Sequence, residues 1–567
     1  MLTAADTIKA PLASPYLPSH RGTDVVQRTW NREELFASGA LTLGELVAQF
    51  PGVTMMTTGF IMAPEVLAWH GDPRGVRLLV DGVEREEVTP RNAGVTDFTL
   101  VPLWSFEQVT LEESAGELRV HARTWRVDRT TPSTRTDVLT GSENLNLFRG
   151  FFGRRSANGL AIQVAAQQAN TSSITGMDGD ALGAMVRLGW AAGSWSADLT
   201  TLRQGLTRNS GVRYARTEPA VGAFPAFTGS SSMTYLRAAW RDPQGTGPWI
   251  QLVAATLAAV KAHPTSSSGG SGGRSSSNTA AIAADTADTT ASRAQYALSA
   301  GVNRNGLRLS GVTRFRSADG KLGVAPSVRA EWARRWLSVS ANAGRRFEGT
   351  AVWDARATAV PRDWLRLSAT LGVSQAGLDS GRATRTGTSV EAAARWRDRW
   401  LSIGAVRLGP GVVAAPVELD TAMRAVRLPQ GNAIKVSFTG PLRWGWFVST
   451  DVVEWNAATT FRPQTQARSK VWFSSSFKDK FPQANFHILA ALTHDYRSKF
   501  YVPLGDDPLR QVSKAYSVFG SQLEIRIASA VLSWTYRNMA GTNFETFPGY
   551  LMPRITSVYG IRWEFWN

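Results

Sequence analysis

Few side chains of this 567-residue sequence stand at spacings that could support catalysis or metal binding. The sequence has no cysteine, which excludes disulfides, thiolate catalysis and cysteine-ligated zinc or iron–sulfur sites. Its six histidines are His20, His70, His121, His263, His487 and His494. No two of them have the spacing of metal ligands, and His494 beside Asp495 fits a loop-edge pair better than half of a catalytic triad. We therefore predict no metal site and no cofactor.

A formal nucleophile motif, Gly-Gly-Ser-Gly-Gly, occurs at residues 269–273. In hydrolases this motif lies between a strand and a helix, whereas here it falls in the low-complexity stretch 265–277, which is typical of a flexible loop tip. Neither a Walker A motif nor a dinucleotide-binding glycine pattern follows a predicted strand. The sequence thus predicts no catalytic residues and a protein that is not an enzyme.

The chain is basic, with a formal net charge of +17. Its basic residues are spread along strand-like segments instead of forming one patch, so we predict no nucleic-acid partner.

No apolar run reaches the roughly 18 residues of a spanning helix. This excludes a helical membrane protein but leaves a membrane barrel open, because barrel strands alternate. Residues 1–15 lack the basic and apolar segments of a signal peptide, and we expect that such a segment was removed or precedes residue 1.

From about Thr136 onwards the dominant signal is an alternation of apolar and polar residues, which is typical of strands. Clear examples are 337–344, 365–374, 522–527 and 559–566. A soluble antiparallel sandwich also alternates in this way, but the connections favour a membrane barrel. Short turns such as 304–305 alternate with connections that are often long, such as 203–231, and every long one falls on the same side. Drawn as hairpins, the segments give about 22 strands.

Tryptophans recur beside the short turns. Six of them follow such a turn: Trp195, Trp249, Trp336, Trp364, Trp400 and Trp446. A row of tryptophans at one end of many strands is typical of the interfacial girdle of a membrane barrel. The alternative is that these side chains pack at the edge of a sandwich.

The first 130 residues have a different pattern. Thr42 and Glu45 predict a capping box at the start of a short helix, which the Pro51-Gly52 pair ends. The buried face of this helix is predicted to comprise Leu43, Leu46, Val47 and Phe50. A strand at 76–83 with a tight Asp81-Gly82 turn, a turn and strand within 101–111, and a strand at 118–124 follow. A small α/β domain of this kind is what a 22-stranded barrel needs to plug its lumen.

Three of these segments, in this order and spacing, resemble the plug domain of TonB-dependent outer-membrane receptors: Leu43–Val53, Leu78–Val83 and Val101–Leu111. The resemblance implies a mainly β fold, with a transmembrane antiparallel β-barrel of about 22 strands and a small N-terminal α/β plug domain inside the lumen. We expect an N-terminal extension at 1–30, the plug at 31–130 and the barrel at 131–567. The arginine usual in the family before the Asp-Gly strand is replaced here by Trp69-His70-Gly71.

The resemblance also implies a receptor in the bacterial outer membrane, in contact with its lipid. Such a receptor takes up a small-molecule, chelate or oligomeric ligand when the inner-membrane TonB complex pulls the plug. This coupling requires a Ton box, a segment able to add a strand to a partner's sheet, for which the candidate residues are Asp6, Thr7, Ile8, Lys9 and Ala10. The alternative for this segment is a disordered terminus. The alternative function is a passive channel or structural barrel with a non-gating plug.

Arginines suggest the charge of the ligand. Four of them cluster in or beside the first long connection: Arg203, Arg208, Arg213 and Arg216. Three more occupy polar-face positions of strands and should point into the lumen, since a lipid-facing arginine costs up to ~2–4 kcal/mol near the midplane: Arg366, Arg526 and Arg562. Because guanidinium groups pair with carboxylates and phosphates, we expect an anionic ligand at a mouth formed by Arg208, Arg213 and Arg216. The alternative is that these arginines hold lipopolysaccharide phosphates or plug carboxylates.

Overall fold

A computed structural model shows a small N-terminal domain enclosed by a barrel. It describes residues 27–566 apart from 86–93, 115, 173–177, 210–226, 263–288, 319–320, 379–380, 415, 417–418, 420–422, 424, 484 and 505–506. The small domain has a 5-stranded sheet, and the rest of the chain closes into an antiparallel barrel of 22 strands. Among the described residues, no helix has the length and apolar character needed to cross a membrane.

The N-terminal domain is the plug. Its elements are β1 (Gln27–Asn31), α1 (Arg32–Ala37), α2 (Leu43–Val47), β2 (Val53–Thr57), β3 (Glu65–Trp69), β4 (Val76–Val80), β5 (Val83–Glu84), β6 (Phe106–Glu113) and β7 (Leu118–Thr124). The sheet order is β1-β6-β7-β4-β5, with β4 parallel to β7, and β2 and β3 form a separate hairpin. Because β1 begins at Gln27, the sheet starts within the segment 1–30 that we expected to be an extension.

The local predictions for the plug are confirmed in part, since α2 ends at Val47, before the Pro51-Gly52 pair. Thr42 precedes α2, and its hydroxyl oxygen accepts the backbone N–H of Glu45 at 3.1 Å. The Glu45 carboxylate accepts the N–H of Leu41 at 2.8 Å, so the capping box is offset by one residue. The predicted buried face of the helix is buried: Leu43, Leu46, Val47 and Phe50. Asp81 and Gly82 have φ values of 49° and 82° and form the turn between β4 and β5, as in a type I′ hairpin.

The barrel strands follow the plug. They are β8 (Ser133–Gly141), β9 (Leu145–Arg155), β10 (Ala161–Thr171), β11 (Gly179–Ala192), β12 (Trp195–Arg208), β13 (Phe227–Trp240), β14 (Gly247–Ala262), β15 (Thr289–Arg304), β16 (Leu307–Ala318), β17 (Lys321–Ala333), β18 (Leu337–Arg345), β19 (Ala351–Arg362), β20 (Leu365–Leu378), β21 (Gly381–Trp396), β22 (Arg399–Leu408), β25 (Gly431–Pro441), β26 (Trp446–Trp455), β27 (Thr465–Ser475), β28 (Phe486–Arg497), β31 (Tyr516–Ile527), β32 (Ala530–Arg537) and β33 (Thr556–Trp566). Strand β33 pairs with β8 and closes the barrel. Two hairpins lie within long connections: β23 (Gly411–Val413) with β24 (Val426–Leu428), and β29 (Phe500–Leu504) with β30 (Asp507–Ser513).

The two ends of the barrel differ in the length of their connections. At one end, here named the short-turn end, strands are joined by turns such as 193–194, 305–306 and 528–529. The other end, the long-loop end, carries all the longest connections: 209–226, 263–288, 409–430, 498–515 and 538–555. The predicted alternation of short and long connections is therefore confirmed.

The barrel is apolar outside and polar inside. Its outer wall exposes large apolar side chains, among them Phe148, Leu182, Leu236, Leu252 and Leu298. The intervening positions point inward and include buried polar residues such as Gln163, Arg187, Thr200, Arg237 and Gln251. This polarity suits a wall that faces hydrocarbon and encloses a polar domain.

The tryptophan girdle is confirmed in part. Four of the predicted members are exposed at the short-turn end: Trp195, Trp336, Trp364 and Trp446. The prediction was wrong for Trp249, which is buried, and for Trp400, which lies 4.0 Å from the guanidinium of Arg366 and is half-buried. Both occupy strand positions whose alternation points the side chain into the lumen, because the neighbouring Ile250 and Leu401 face outward.

Candidate functional site

The tight turn at Asp81 is the centre of a buried polar cluster against the barrel wall. Its carboxylate accepts hydrogen bonds from the Tyr235 hydroxyl at 2.5 Å and from Arg187 Nη2 at 3.2 Å. Thr124 of β7 donates to the same carboxylate from its backbone N–H, at 3.2 Å, and from its hydroxyl. Arg237 Nη2 donates to the backbone carbonyl of Asp81 at 2.5 Å. The turn therefore places a carboxylate where two barrel strands, β11 and β13, can both hold it.

The electrostatics of this cluster favour an ionised Asp81. Burial by itself raises the pKa of a carboxyl group, but Arg187, Arg126 and Arg237 outweigh burial and hold the pKa of Asp81 below its ordinary value. The carboxylate therefore keeps its charge at neutral pH and acts as a fixed anchor between plug and barrel.

A second buried cluster surrounds Glu117, between β6 and β7. Its carboxylate lies 2.7 Å from Nη2 of Arg346, which belongs to the barrel. Within the plug it accepts from Arg119 Nε at 2.9 Å and pairs with Arg77 at 3.4 Å. Arg119 Nη2 also lies 2.5 Å from Asp354 of β19. Burial raises the pKa of Glu117, but the three arginines outweigh burial and lower it below its ordinary value.

In most of these contacts the plug supplies the acid and the barrel supplies the base. The pairs of this kind among the described residues are Glu33–Arg526, Glu45–Arg537, Asp72–Arg385, Asp81–Arg187, Glu112–Arg329, Glu113–Lys435 and Glu117–Arg346. They involve strands on all sides of the lumen, from β11 to β32. Plug acids thus neutralise part of the barrel's positive charge. Among the arginines that the sequence analysis weighed as partners of plug carboxylates, Arg526 has such a partner in Glu33.

At the long-loop end, the connections fold inward over the plug and form an apolar cluster with hairpin β2–β3. We name this cluster the loop cap; its members are Met56, Val66, Ala68, Val95, Ala414, Leu419, Met423, Phe461, Phe500, Val502, Phe547 and Tyr550. Phe461, Phe500 and Phe547 are fully buried in it. The cap covers one face of the hairpin, so a ligand can reach that face only after the connections move.

A cavity of about 280 Å³ lies between the plug and strands β26 to β33. Residues 38–53 form much of its plug wall, and the barrel wall includes Arg468, Asp495, Tyr516 and Arg537. Arg468 pairs with Asp495 at 3.1 Å, and Arg537 Nη2 donates to Glu45 at 2.9 Å. This volume is slightly below the ~300–1,000 Å³ found for ligand sites. It therefore has room for part of a ligand in this arrangement of the plug.

The structure describes only some of the residues predicted for binding. The candidate Ton box, Asp6 to Ala10, lies outside the described residues, as do Arg213 and Arg216. Arg208 is buried at the long-loop end of β12, where Nη1 donates to the carbonyl of Met62 in the plug at 3.0 Å and the guanidinium lies 4.7 Å from the Phe227 ring. These contacts join the barrel to the plug, and a role of Arg208 in ligand binding stays a prediction.

The Pro51-Gly52 pair leads the chain from α2 into β2. Gly52 has a φ of 87°, and its carbonyl accepts the N–H of His70 at 3.1 Å. A Cβ at residue 52 would lie 2.8 Å from His70 Nε2, so this close approach requires glycine. Pro51 and Gly52 also line the cavity, so this motif is part of the plug surface that faces it.

The polar-face arginines point into the lumen as predicted. The guanidinium of Arg562 lies 4.8 Å from the ring of Phe36 in α1, and Arg526 lies 3.5 Å from Glu33. Arg366 is the one that stacks on Trp400. Two of the three therefore contact the plug.

Sequence reasoning missed the barrel residues that hold Asp81. Arg187, Tyr235 and Arg237 stand at alternating positions of β11 and β13, so the strand pattern could have shown that they face the lumen. The strand pattern could not show which residues of the plug these three side chains contact. Within the described ranges, no group of three or more His, Asp or Glu side chains could hold a metal ion.

No protein-family model matches the sequence, and a search of curated proteins gave no match. Solved structures do match. The siderophore receptor PirA from Acinetobacter baumannii aligns with a TM-score of 0.71 at 11% identity, over 95% of this chain and 98% of PirA. The fold is shared. The F3-3 variant of the FrpB iron transporter from Neisseria meningitidis aligns with a TM-score of 0.72 at 9% identity, over 96% and 100% of the two chains.

A variant of the ferric enterobactin receptor PfeA from Pseudomonas aeruginosa also matches, with a TM-score of 0.70 at 11% identity, over 95% of this chain and 98% of PfeA. The matched proteins are described as receptors and a transporter, not as enzymes. The resemblance predicted from the plug motifs is thereby confirmed at the level of the whole fold, barrel and plug together.

Proposed function

We propose that this protein is a TonB-dependent receptor of the bacterial outer membrane that takes up a ligand through its plugged barrel. The observation that carries the proposal is the plug itself, which lies in the lumen and is tied to several sides of the barrel by ion pairs, most of them buried. A ligand can pass only if part of this domain moves. The apolar outer wall suits contact with lipid, and the long-loop end would face outward, as in other outer-membrane barrels.

We propose that the inner-membrane TonB complex supplies the movement by pulling on the chain that precedes β1, with Asp6 to Ala10 as the Ton box. Among the described residues, strand β1 is the edge strand of the plug sheet and pairs with β6 alone, over Gln27–Asn31. A pull on residue 27 therefore acts first on one short strand pair, which can separate bond by bond. The buried clusters at Asp81 and Glu117 lie farther along the chain.

The ligand proposed is a small anionic chelate of the ferric-siderophore class. The matched structures support this class, since their names refer to siderophores, iron and ferric enterobactin. The arginines at 208, 213 and 216 support a negative charge, because guanidinium groups concentrate and bind anions.

Uptake by whole cells tests the coupling. Cells that lack other siderophore receptors would express the wild type, Ile8→Pro or the control Ile8→Val, and uptake of a panel of ferric siderophores starting with ferric enterobactin would be followed. Proline removes a backbone donor and prevents strand addition, so Ile8→Pro should abolish uptake and leave surface binding intact. Equal uptake by all three would favour the passive-channel alternative, which also requires that the purified wild type conduct ions in planar bilayers.

Binding by the same cells tests the charge. Arg213→Ala/Arg216→Ala should weaken binding of the chelate, and the affinity of the wild type should fall as salt rises. Arg334→Ala/Arg335→Ala removes the same charge at the short-turn end, where both side chains are exposed, and should bind normally. Equal binding by both double variants at low salt would contradict an anion-binding mouth.

A further inference from the structure

Arg462 is a buried guanidinium at the long-loop end of the barrel. It lies in the connection 456–464 between β26 and β27, and only 1% of its surface is exposed. Its Cζ lies 4.5 Å from the ring of Trp455, so one face of the guanidinium is covered by an indole. The other side is close to Gly431, where an added Cβ would lie 2.8 Å from Cζ and 2.9 Å from Nη2. The guanidinium thus lies between an indole ring and the backbone of a glycine, and its hydrogen bonds can be made only by the N–H groups in its plane.

None of these N–H groups has a partner among the residues that the structure describes. Nε, Nη1 and Nη2 of Arg462 are all buried without an acceptor in the structure. The charged group that most affects this residue is another cation, Arg385: together with burial, which has the larger effect, it lowers the pKa of Arg462 to about 10. At neutral pH the group is still charged. A buried charge without a counterion is strongly unfavourable, and stacking on an indole does not replace hydrogen bonds.

Two further residues with unpaired polar atoms among the described residues lie close by, His70 and Arg385. His70 is 3% exposed, and neither ring nitrogen has a hydrogen-bond partner. Its ring packs edge-on against Trp455, with centroids 5.0 Å apart, and stacks on Trp69. Arg385 donates from Nη2 to the carbonyl of His70 at 3.2 Å, and its Nη1 lies 3.7 Å from the Asp72 carboxylate, while its Nε has no partner among the described residues. Burial, followed by the nearby cations, lowers the pKa of His70 well below 6.5, so its neutral ring offers one donor and one acceptor.

The backbone beside these residues is built for close packing. Gly71, which follows His70, has a φ of 87°, and an added Cβ there would lie 2.9 Å from Cβ of Arg462. Glycine at this position lets the plug come close to the stem of the arginine. The plug and the connection 456–464 thus meet at a point where donors outnumber acceptors.

We propose that Arg462, Arg385 and His70 form an anion site between the plug and the loop cap. The site takes one compact oxyanion, such as phosphate, either free or as the terminal group of a larger molecule. A planar guanidinium can donate two parallel hydrogen bonds to such a group, and the second guanidinium and the imidazole N–H can add to them. The site is a property of the folded chain and does not depend on the transport proposed above.

Calorimetric titration of the full-length protein, in detergent and in buffer free of phosphate and sulfate, tests the site with inorganic phosphate as probe. The wild type should bind phosphate saturably at one site. Arg462→Met, which keeps an unbranched stem and removes the guanidinium with its charge, should lower the affinity at least tenfold. Arg366→Met is the matched control, because it removes a guanidinium stacked on a tryptophan at the short-turn end, and its affinity should be unchanged. Phenyl phosphate distinguishes free phosphate from the terminal phosphate of a larger molecule. If the wild type binds both probes, the site is open to the end group of a larger ligand. If it binds phosphate alone, the site takes the free ion.

Thermal unfolding gives an independent reading. Without phosphate, Arg462→Met should unfold at a higher temperature than the wild type, because it removes an uncompensated buried charge. If the variant is instead less stable and the wild type binds no phosphate, the counterion belongs to the chain itself and the proposal is overturned.

Should Arg462→Met fail to fold, wild-type crystals soaked in selenate decide the question. An anomalous peak within hydrogen-bond distance of the Arg462 guanidinium supports the site, and its absence overturns the proposal.

Discussion

Glu117 of the plug lies 2.7 Å from Arg346 of the barrel, and its carboxylate has no exposed surface. The ion pair joins the end of the plug sheet to the connection between β18 and β19. Together with the Asp81 cluster, it fixes the later part of the plug to the barrel at two separate points. The buried carboxylates of the plug and the buried arginines of the barrel would therefore be unpaired, and unfavourable for folding, if plug and barrel were separated.

Replacement of Glu117 by glutamine should destabilise the protein strongly. The change removes the anion that Arg346, Arg119 and Arg77 share, and loss of one partner from a buried pair costs about 3–5 kcal/mol. Thermal unfolding of the purified protein measures the effect. Glu33→Gln is the control, since Glu33 is 76% exposed and 3.5 Å from Arg526, and it should change stability by less than about 1 kcal/mol. Similar unfolding temperatures for the two variants would contradict this account of the interface.

The stabilisation from Asp81 should depend on pH. Its folded-state pKa is lowered below the unfolded value of about 3.9, so the contribution is complete above that value and is lost as the pH falls through the folded pKa. Comparison of the wild type with Asp81→Asn from pH 3 to pH 7 checks the sign. The difference in unfolding temperature should be largest near neutral pH and should shrink below about pH 4. A difference that grew toward acid pH would refute the assignment.

Glu65 should have the opposite pH dependence. Burial, strengthened by the charges of Glu45 and Asp97, raises the pKa of Glu65 to about 8, and the Thr42 hydroxyl donates to it at 2.8 Å. An unfolded glutamate ionises near pH 4.3, so folding takes up a proton between about pH 4.3 and pH 8 and stability falls as pH rises through that window.

Glu65→Gln keeps an acceptor for Thr42 and removes the titration. Relative to the wild type, the variant should gain stability between pH 5 and pH 8.5, as measured by thermal unfolding. Glu33→Gln should keep the pH profile of the wild type. A variant profile parallel to that of the wild type would show that Glu65 is ionised in the folded plug.

Short-range patterns in the sequence predicted the plug elements and the barrel, because each depends on neighbours in the chain. Thr42 caps α2, and the Asp81-Gly82 turn follows β4, since capping and left-handed turns are properties of a few consecutive residues. Strand alternation and the order of short and long connections likewise gave the number of barrel strands. No long-range contact was needed for these predictions.

The contacts across the interface could not be predicted, because they depend on how far each strand is shifted against its neighbour. Arg208 illustrates this limit. Its place at the end of β12 put it correctly at the long-loop end, but only the folded structure brings its guanidinium to the carbonyl of Met62. The loop cap was missed for the same reason, since Phe500 and Phe547 lie in connections that carry no regular pattern.

A disulfide between plug and barrel can test whether the plug must move during uptake. The chain contains no cysteine, so an introduced pair has no other cysteine within the chain to bond with. Met62 lies between β2 and β3, and its Cβ is 3.4 Å from the position of a Cβ at Gly179 in β11, close to the ~3.5–4.5 Å of a disulfide. Met62→Cys/Gly179→Cys should therefore join the two domains when oxidised.

The oxidised protein should bind ferric enterobactin, or whichever chelate of the panel the wild type takes up, but should not transport it, and dithiothreitol should restore uptake. Ile162→Cys/Leu188→Cys is the control: these residues are paired neighbours on β10 and β11, are exposed on the outer wall and do not involve the plug. Its disulfide should leave uptake unchanged, because both of its ends belong to the barrel. Uptake that continues with the Met62–Gly179 bond intact would mean that the plug stays attached to β11 during transport, and the ligand would then have to pass on the opposite side, through the cavity beside β26 to β33.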